Sequence, residues 1–431
     1  MQSFSRRTFL KGVAATTCGS AIHAVSPLSN SGFIAWAGPE PAQTVGALGT
    51  NPLLILLNLD GGCSYNITPI YTGAYRDRNR NISYGPESSI PLTADQGLHP
   101  NLPLLKPVWD GGNLAVLNLV GLNDPNGLTR SHDDGANIKL TGITNVAEVK
   151  AGLKPGWVVN MSAQFGEPFS GIAINSGRSS LMGGPNPPLS ITTLASLGEL
   201  PVFSQPVGDW IRFTRSAIMG AGDPPQGPNQ ATIKNTMTNV DNAFAELGRQ
   251  IAPVTLPAIA NPFDLSRDGT GFIRACSDAA RLAITSSLRV RFIYLEQRGY
   301  DNHGEDFNNL KELLNTLNNG IGPLIQTLKA AGRWNDTVIA TLTEFGRTHQ
   351  NATNGTDHGA ETSMFVMGGK VKGRQVNPVP SVTQINKGDY IIGADIDFRH
   401  VFREIIVAMG QDPDAIFPYR VAERTPALGL F

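Results

Sequence analysis

Leu53-Leu54-Ile55-Leu56-Leu57-Asn58-Leu59 is a continuous apolar run of strand length, and it stops at Asp60-Gly61-Gly62. A strand with one wet face alternates apolar and polar residues. A strand apolar at consecutive positions needs cover on both faces, as a central strand of a parallel sheet has. Leu114 to Val120 is a second such run, Val290 to Leu295 a third and Thr337 to Leu342 a fourth. Between the last two, Leu310, Leu313, Leu314, Leu317, Ile321, Leu324 and Leu328 recur at three- and four-residue spacing, the pattern of a helix with one buried face. Strands alternating with helices predict an α/β fold with a mostly parallel central sheet and helices on both faces. In such sheets function gathers where the carboxyl ends of the strands meet their loops. Residues 167–260 are different, rich in Pro, Gly, Ser and Thr with one helical stretch near Ile233 to Leu247, and are expected to be a loop-rich insertion bordering the site.

The amino-terminal segment has another character. Ser5-Arg6-Arg7-Thr8-Phe9-Leu10-Lys11 is followed by an apolar body from Gly12 to Ala24, which is shorter and richer in Ala, Thr and Gly than the roughly 20 apolar residues that cross a bilayer. A charged head, a short apolar body and a small-x-small site at Ala35-Trp36-Ala37 read as a cleaved signal, and the paired arginines place it in the twin-arginine class. The expected organisation is a signal over 1–37, a linker over 38–50 and an α/β domain over 51–431. The expected location is periplasmic or secreted, with the twin-arginine translocase as the partner during export. Cys18 after Thr16-Thr17 makes a poor lipoprotein box, so no stable membrane anchor is expected. Three of the 34 basic residues and none of the 35 acidic ones lie in the signal, which takes the net charge from −1 to −4 in the mature chain. That balance gives no basis for a nucleic-acid partner. Cys63 and Cys276 remain as a possible disulfide pair, with nothing in the sequence to bring them together.

Every strong strand ends at a carboxylate or leads to one. The first delivers Asp60; the second leads through Asn123-Asp124-Pro125-Asn126-Gly127 to Arg130-Ser131-His132-Asp133-Asp134; the third delivers Asp301 and His303; the fourth delivers Glu344, with Asp357-His358 in the loop beyond. Four of the seven histidines, His132, His303, His349 and His358, fall in or beside these segments. Carboxylate oxygen with neutral imidazole nitrogen suits a divalent metal ion, zinc before manganese or calcium, whereas a sulfur-dominated site needs cysteines that are lacking. Asp301 and His303, two residues apart, point the same way in an extended segment and can share one ion. Taken singly, Asp-x-His is as readily a surface loop and Thr-Asp-His-Gly a turn closed by an Asx bond. Ser131 begins a helix running to Leu140 and ending at Thr141-Gly142, where its hydroxyl reads both as a plain cap and as a nucleophile placed where unpaired backbone N–H groups attract an anion.

These motifs, with Gly97-Leu98-His99-Pro100, Gly156-Trp157, Glu344-Phe345-Gly346-Arg347-Thr348, Gly355-Thr356-Asp357-His358-Gly359, Gly368-Gly369-x-Val371-x-Gly373 and Asp397-x-Arg399, resemble the bacterial family called DUF1501, itself similar to the alkaline phosphatase and sulfatase superfamily. The resemblance implies an alkaline-phosphatase-like fold and a metal-dependent hydrolase of phosphate or sulfate esters, acting on a small-molecule or glycan-linked ester. It implies Ser131 as the nucleophile and Asp60, Asp301, His303, Glu344, Asp357 and His358 as metal ligands. Arg347 would neutralise an ester oxygen, or else form a structural ion pair with a nearby acid. His132 would be a general acid, a ligand or a turn residue. The chain departs from the family at its first glycines, where Asp60 precedes them and Cys63-Ser64-Tyr65-Asn66 follows. That departure motivates a second reading, a catalytically silent cell-envelope protein that binds a glycan or partner on the same scaffold.

Overall fold

The computed structural model describes residues 47–122, 130–150, 155–165, 169–176, 188–197, 228–391, 393–417 and 427–431. The expected signal, most of the linker, the loop 123–129 and much of 167–260 lie outside the described residues. In chain order the strands are β1 (Leu53–Asp60), β2 (Ile90–Pro91), β3 (Gly97–Leu98), β4 (Leu114–Gly121), β5 (Gly171–Ile174), β6 (Leu189–Ile191) and β7 (Phe292–Arg298). They continue with β8 (Thr337–Leu342), β9 (Arg347–Gln350), β10 (Thr356–His358), β11 (Thr362–Gly368), β12 (Gln375–Val376) and β13 (Ile396–Asp397).

The central sheet runs β12-β4-β11-β8-β1-β7-β5-β6, with β13 also pairing β4. β1 lies between β7 and β8, parallel to both, and β11 alone runs antiparallel to its neighbours β4 and β8. The four apolar runs read from the sequence are β1, β4, β7 and β8, and the expected α/β class with a mostly parallel sheet is what the chain adopts. The sequence reading did not identify β11. Its first residues, Thr362-Ser363, belong to a polar stretch, and nothing local distinguishes an antiparallel insertion from a parallel strand.

Consecutive residues of β1 enter opposite cores, which is why the run carries no polar alternation. Leu53, Ile55, Leu57 and Leu59 pack with the helices Phe272–Ile284 and Asp306–Ala330, while Leu54 and Leu56 face the helices His132–Thr141, Trp157–Gln164 and Phe398–Ala408. Within Asp306–Ala330 the expected stripe is the buried face, with Leu310, Leu314, Leu317, Ile321, Leu324 and Leu328 at 2% exposure or less. Gly171–Ile174 and Leu189–Ile191, inside the stretch read as an insertion, are the outermost strands on one side of the sheet, and Pro228–Ile251 is a helix around the expected 233–247. Cys63 and Cys276 are both buried free thiols.

The parallel register of β1, β7 and β8 sends Asp60, Arg298 and Leu342 toward the same edge of the sheet. Beyond β1 the chain passes so close to β7 that a Cβ at Gly61 would lie 2.3 Å from the backbone nitrogen of Asp301, and φ there is +125°. Only glycine fits such an approach in that conformation.

His99, just after β3, is fully buried. Its Nδ1 accepts the Asn101 backbone N–H at 3.1 Å, so its Nε2–H donates to Tyr84 Oη at 2.8 Å. Burial, with the Lys311 charge adding to it, pushes its pKa down to about 3. Because the folded value lies below the ordinary one of about 6.5, this group's stabilisation is complete above that pH and is lost as the pH falls toward 3. Urea unfolding should therefore show a drop in stability between pH 7 and pH 5, of which His99→Gln removes about 2 kcal/mol at about 1.4 kcal/mol per pH unit. An identical drop in the variant would contradict the assignment.

Candidate metal centre

Four segments converge beyond the carboxyl ends of β7 and β8. β7 leads into Asp301 and His303, β8 into Glu344, β10 ends on Asp357 and His358, and the helix His132–Thr141 opens with His132. His132 Nε2 lies 2.9 Å from His358 Nε2, and His303 Nε2 lies 3.2 Å from the same atom. Asp301 Oδ1 is 3.3 Å from His132 Nε2, 2.9 Å from His303 Nε2 and 3.3 Å from His358 Nε2. The donor atoms of His132, Asp301 and His358 all fall within 4.8 Å of one another.

The far side of each ring sets its tautomer. His132 Nδ1 is 2.8 Å from Glu344 Oε1, His303 Nδ1 is 2.6 Å from Asp357 Oδ1, and His358 Nδ1 is 2.8 Å from the Arg130 carbonyl oxygen. All three partners are acceptors, so each Nδ1 carries a hydrogen, and in the neutral form each ring turns its Nε2 lone pair toward the others. Lone pairs and an anionic oxygen at such distances repel unless a cation or shared proton lies among them. Donor atoms around a tetrahedral zinc ion, with bonds of about 2.0–2.1 Å, stand about 3.3 Å apart, so His132, Asp301 and His358 fit three places on that ion, while His303 stands beside Asp301 and His358 outside the mutually close group. Imidazoles backed by carboxylates or a carbonyl are also the usual outer support of such sites.

Glu344 and Asp357, expected as ligands, stand one hydrogen bond behind the donors, and His132 takes a place among them. Burial pushes the Glu344 carboxyl up, but the His132 ring and the Gly61 N–H, which donates to Oε1 at 2.8 Å, hold it below the usual carboxylate range. Glu344 in turn raises the His132 pKa above its ordinary value. The hydrogen bond from His303 lowers Asp357. Burial would raise Asp301, and the Arg347 guanidinium outweighs it, so that carboxyl too is lowered. Asp60, at the end of β1, supplies no atom to the group of converging donors. Cys63 lies beyond the glycines, buried and bridged to Gly346.

Ser131 is the amino-terminal cap of its helix, its Oγ accepting the Asp134 N–H at 3.5 Å, and the helix ends at Thr141 with Gly142 in the left-handed conformation, φ 73°. The cap reading is thus realised, on a residue directly before His132. The loop 123–129 that leads to it lies outside the described residues. His349 stays apart, buried between Asn79 Nδ2 at 3.1 Å and the Ile385 carbonyl oxygen at 3.0 Å. The sequence reading gave no role to Phe345. Its ring packs 5.0 Å from His132 and 4.9 Å from His358, an apolar wall that only the folded chain reveals.

Of the two expectations for Arg347, the ion pair fits its surroundings. The side chain is 1% exposed, and Nη1 donates to Asp301 Oδ1 at 2.8 Å and to the Gly61 carbonyl oxygen at 3.0 Å. Nε donates to Thr356 Oγ1 at 3.2 Å and Nη2 to the Thr356 carbonyl oxygen. Its donors are engaged by protein acceptors.

Residues 229–424 match the family described as "Protein of unknown function (DUF1501)". No curated protein sequence matches the chain. Among solved structures, the chain is similar to the lipoteichoic acid synthase LtaP from Listeria monocytogenes, at 10% identity over 95% of this chain and 79% of that one, with a TM-score of 0.36. It is similar to the PsFucS1 sulfatase from Pseudoalteromonas sp., at 12% identity over 81% and 70%, with a TM-score of 0.36. It is also similar to an alkaline phosphatase superfamily protein from Vibrio parahaemolyticus, at 9% identity over 97% and 80%, with a TM-score of 0.35. At such identities the chemistry has to be argued from the site's own atoms.

Arg347→Met keeps the length of the side chain while stranding two backbone carbonyls and Asp301. It should cost about 3 kcal/mol of stability in urea unfolding. An arginine serving only a substrate would leave stability within about 0.5 kcal/mol.

Proposed function

We propose that the chain is an exported, metal-dependent hydrolase of phosphate or sulfate esters, with zinc held by His132, His358 and Asp301, with His303 beside them, and with Ser131 as nucleophile. The observation that carries this reading is the meeting of three imidazole Nε2 lone pairs with a carboxylate oxygen, each ring hydrogen-bonded on its far side. Export rests on the Arg6-Arg7 segment. Among the described residues no helix is long and apolar enough to cross a membrane.

A bound divalent ion supplies Lewis-acid polarisation of an ester oxygen. The remaining work belongs to the chain. Glu344, buried and fixed by Gly61 and Thr343, holds the His132 ring in one tautomer. Asp357 does the same for His303. Ser131 sits at the amino end of its helix, where the positive end of the helix dipole draws the anionic group of the ester toward the hydroxyl. Its oxygen bonds to the phosphorus or sulfur as the ester bond to the alcohol oxygen breaks, and the serine's proton passes to that oxygen, so the alcohol leaves neutral. Water then releases the inorganic anion and restores the serine.

Elemental analysis of protein taken from its native compartment, without an affinity tag that carries nickel, should find about one zinc per chain. Glu344→Gln should lower zinc affinity about 10- to 100-fold in chelator competition, because the ring loses its anionic partner. Hydrolysis of an aryl phosphate or aryl sulfate should vanish on chelation and return with zinc. Zinc-loaded protein that turns over neither ester would end the proposal, and full activity in Ser131→Ala would transfer the nucleophile's role from serine to water.

A further inference from the structure

The site contains a second arginine whose circumstances are the opposite of those of Arg347. Arg130 is exposed and lies directly before Ser131 and His132. Its φ is 48°, in the left-handed region that side-chain-bearing residues rarely adopt. The conformation is tied to the cluster, because the carbonyl oxygen of this same residue accepts the His358 Nδ1–H at 2.8 Å. The guanidinium carbon lies 5.3 Å from the centre of the Tyr390 ring. The segment that carries the ring runs beside β9, where the His349 N–H donates to the Asp389 carbonyl oxygen at 2.8 Å, and the hairpin partner β10 carries Asp357 and His358. Among the described residues no carboxylate or carbonyl takes the Arg130 guanidinium donors, whereas those of Arg347 are engaged inside the protein.

We infer that Arg130 binds the anionic oxygens of the substrate's phosphate or sulfate group, the role that the sequence had offered to Arg347. A planar guanidinium presents paired N–H groups at the spacing of two oxygens of a tetrahedral oxyanion. The Tyr390 face restricts the swing of the side chain while leaving its edge donors open. The hydrogen bond to His358 fixes where that side chain leaves the backbone, so the anion-binding group and the metal donors are positioned by one peptide. The inference rests on the ester-hydrolase reading of this centre, and names the residue that would recognise the substrate's charge.

Arg130→Asn tests it, since asparagine tolerates the left-handed backbone and keeps the carbonyl that His358 uses while losing the guanidinium. Inorganic phosphate and sulfate binding would be measured by calorimetry on the full chain, both metal-free and loaded with zinc, with zinc content determined in parallel. The expected result is a roughly 10- to 100-fold weaker anion affinity in Arg130→Asn at unchanged zinc content, with part of it regained in Arg130→Lys. Tyr390→Leu should weaken binding by a few fold. Equal anion affinity in wild type and Arg130→Asn would overturn the inference, as would absence of anion binding in the wild type, or loss of zinc from the variant. A wild type that takes up no zinc would instead sink the hydrolase reading, and the metal-free comparison would still decide the role of Arg130.

Discussion

The arrangement of the site depends on one buried cation, the Arg347 guanidinium. It reaches the Gly61 carbonyl beyond β1, the Asp301 carboxylate beyond β7 and the Thr356 carbonyl on β10, so three segments far apart in the chain meet on a single planar group. A guanidinium has five donors in a fixed plane, and satisfying them from three directions sets the relative placement of those segments. Asp301 can be both the anion that neutralises this arginine and a member of the histidine cluster because its side chain is half-exposed, with Oδ1 lying between the two.

Around that floor the polar groups form layers. Glu344 and Arg347 are almost fully buried, His132 and His358 are about a quarter exposed, and Asp301, His303 and Asp357 open to solvent. Glu344 behind His132 and Asp357 behind His303 keep those imidazoles oriented before anything binds. Phe345 closes the apolar side by packing against two of the three rings. Its neighbour Gly346 must be glycine, because a Cβ there would lie 1.9 Å from the Glu361 carbonyl oxygen. The Glu-Phe-Gly-Arg segment therefore carries an orienting acid, a hydrophobic wall, a close backbone crossing and the central cation in four successive residues.

The chemistry-bearing segments were legible because each follows a strand whose identity is written locally. Apolar runs at Leu53, Leu114 and Thr337 need no tertiary information to be read as doubly covered strands, and the acids and histidines just past them stand out against a chain with few histidines. The ranking within the cluster was not legible. A carboxylate that binds a metal and one that binds the back of a metal-binding histidine are the same residue type at the same distance from a strand end. That is why Glu344, expected as a ligand, could stand in the structure behind His132, at 2.8 Å from its Nδ1. Likewise Arg130 and Arg347 are both arginines beside a histidine or glycine in short motifs, and only burial separates the one that is spent from the one that is exposed.

Local periodicity, and where it stops, is enough to give the α/β class, four strands of the central sheet, the long helix that covers it, and the presence of Asp301, His303, Glu344 and His358 beyond strand ends. The folded arrangement sets the antiparallel β11, the places of β5 and β6 at one end of the sheet, the engagement of Arg347 with three segments, and which nitrogen of each imidazole faces the centre. Those features depend on pairing between residues up to 286 positions apart, such as Gly61 with Arg347, and no local pattern in a chain encodes the partner that such a residue will meet.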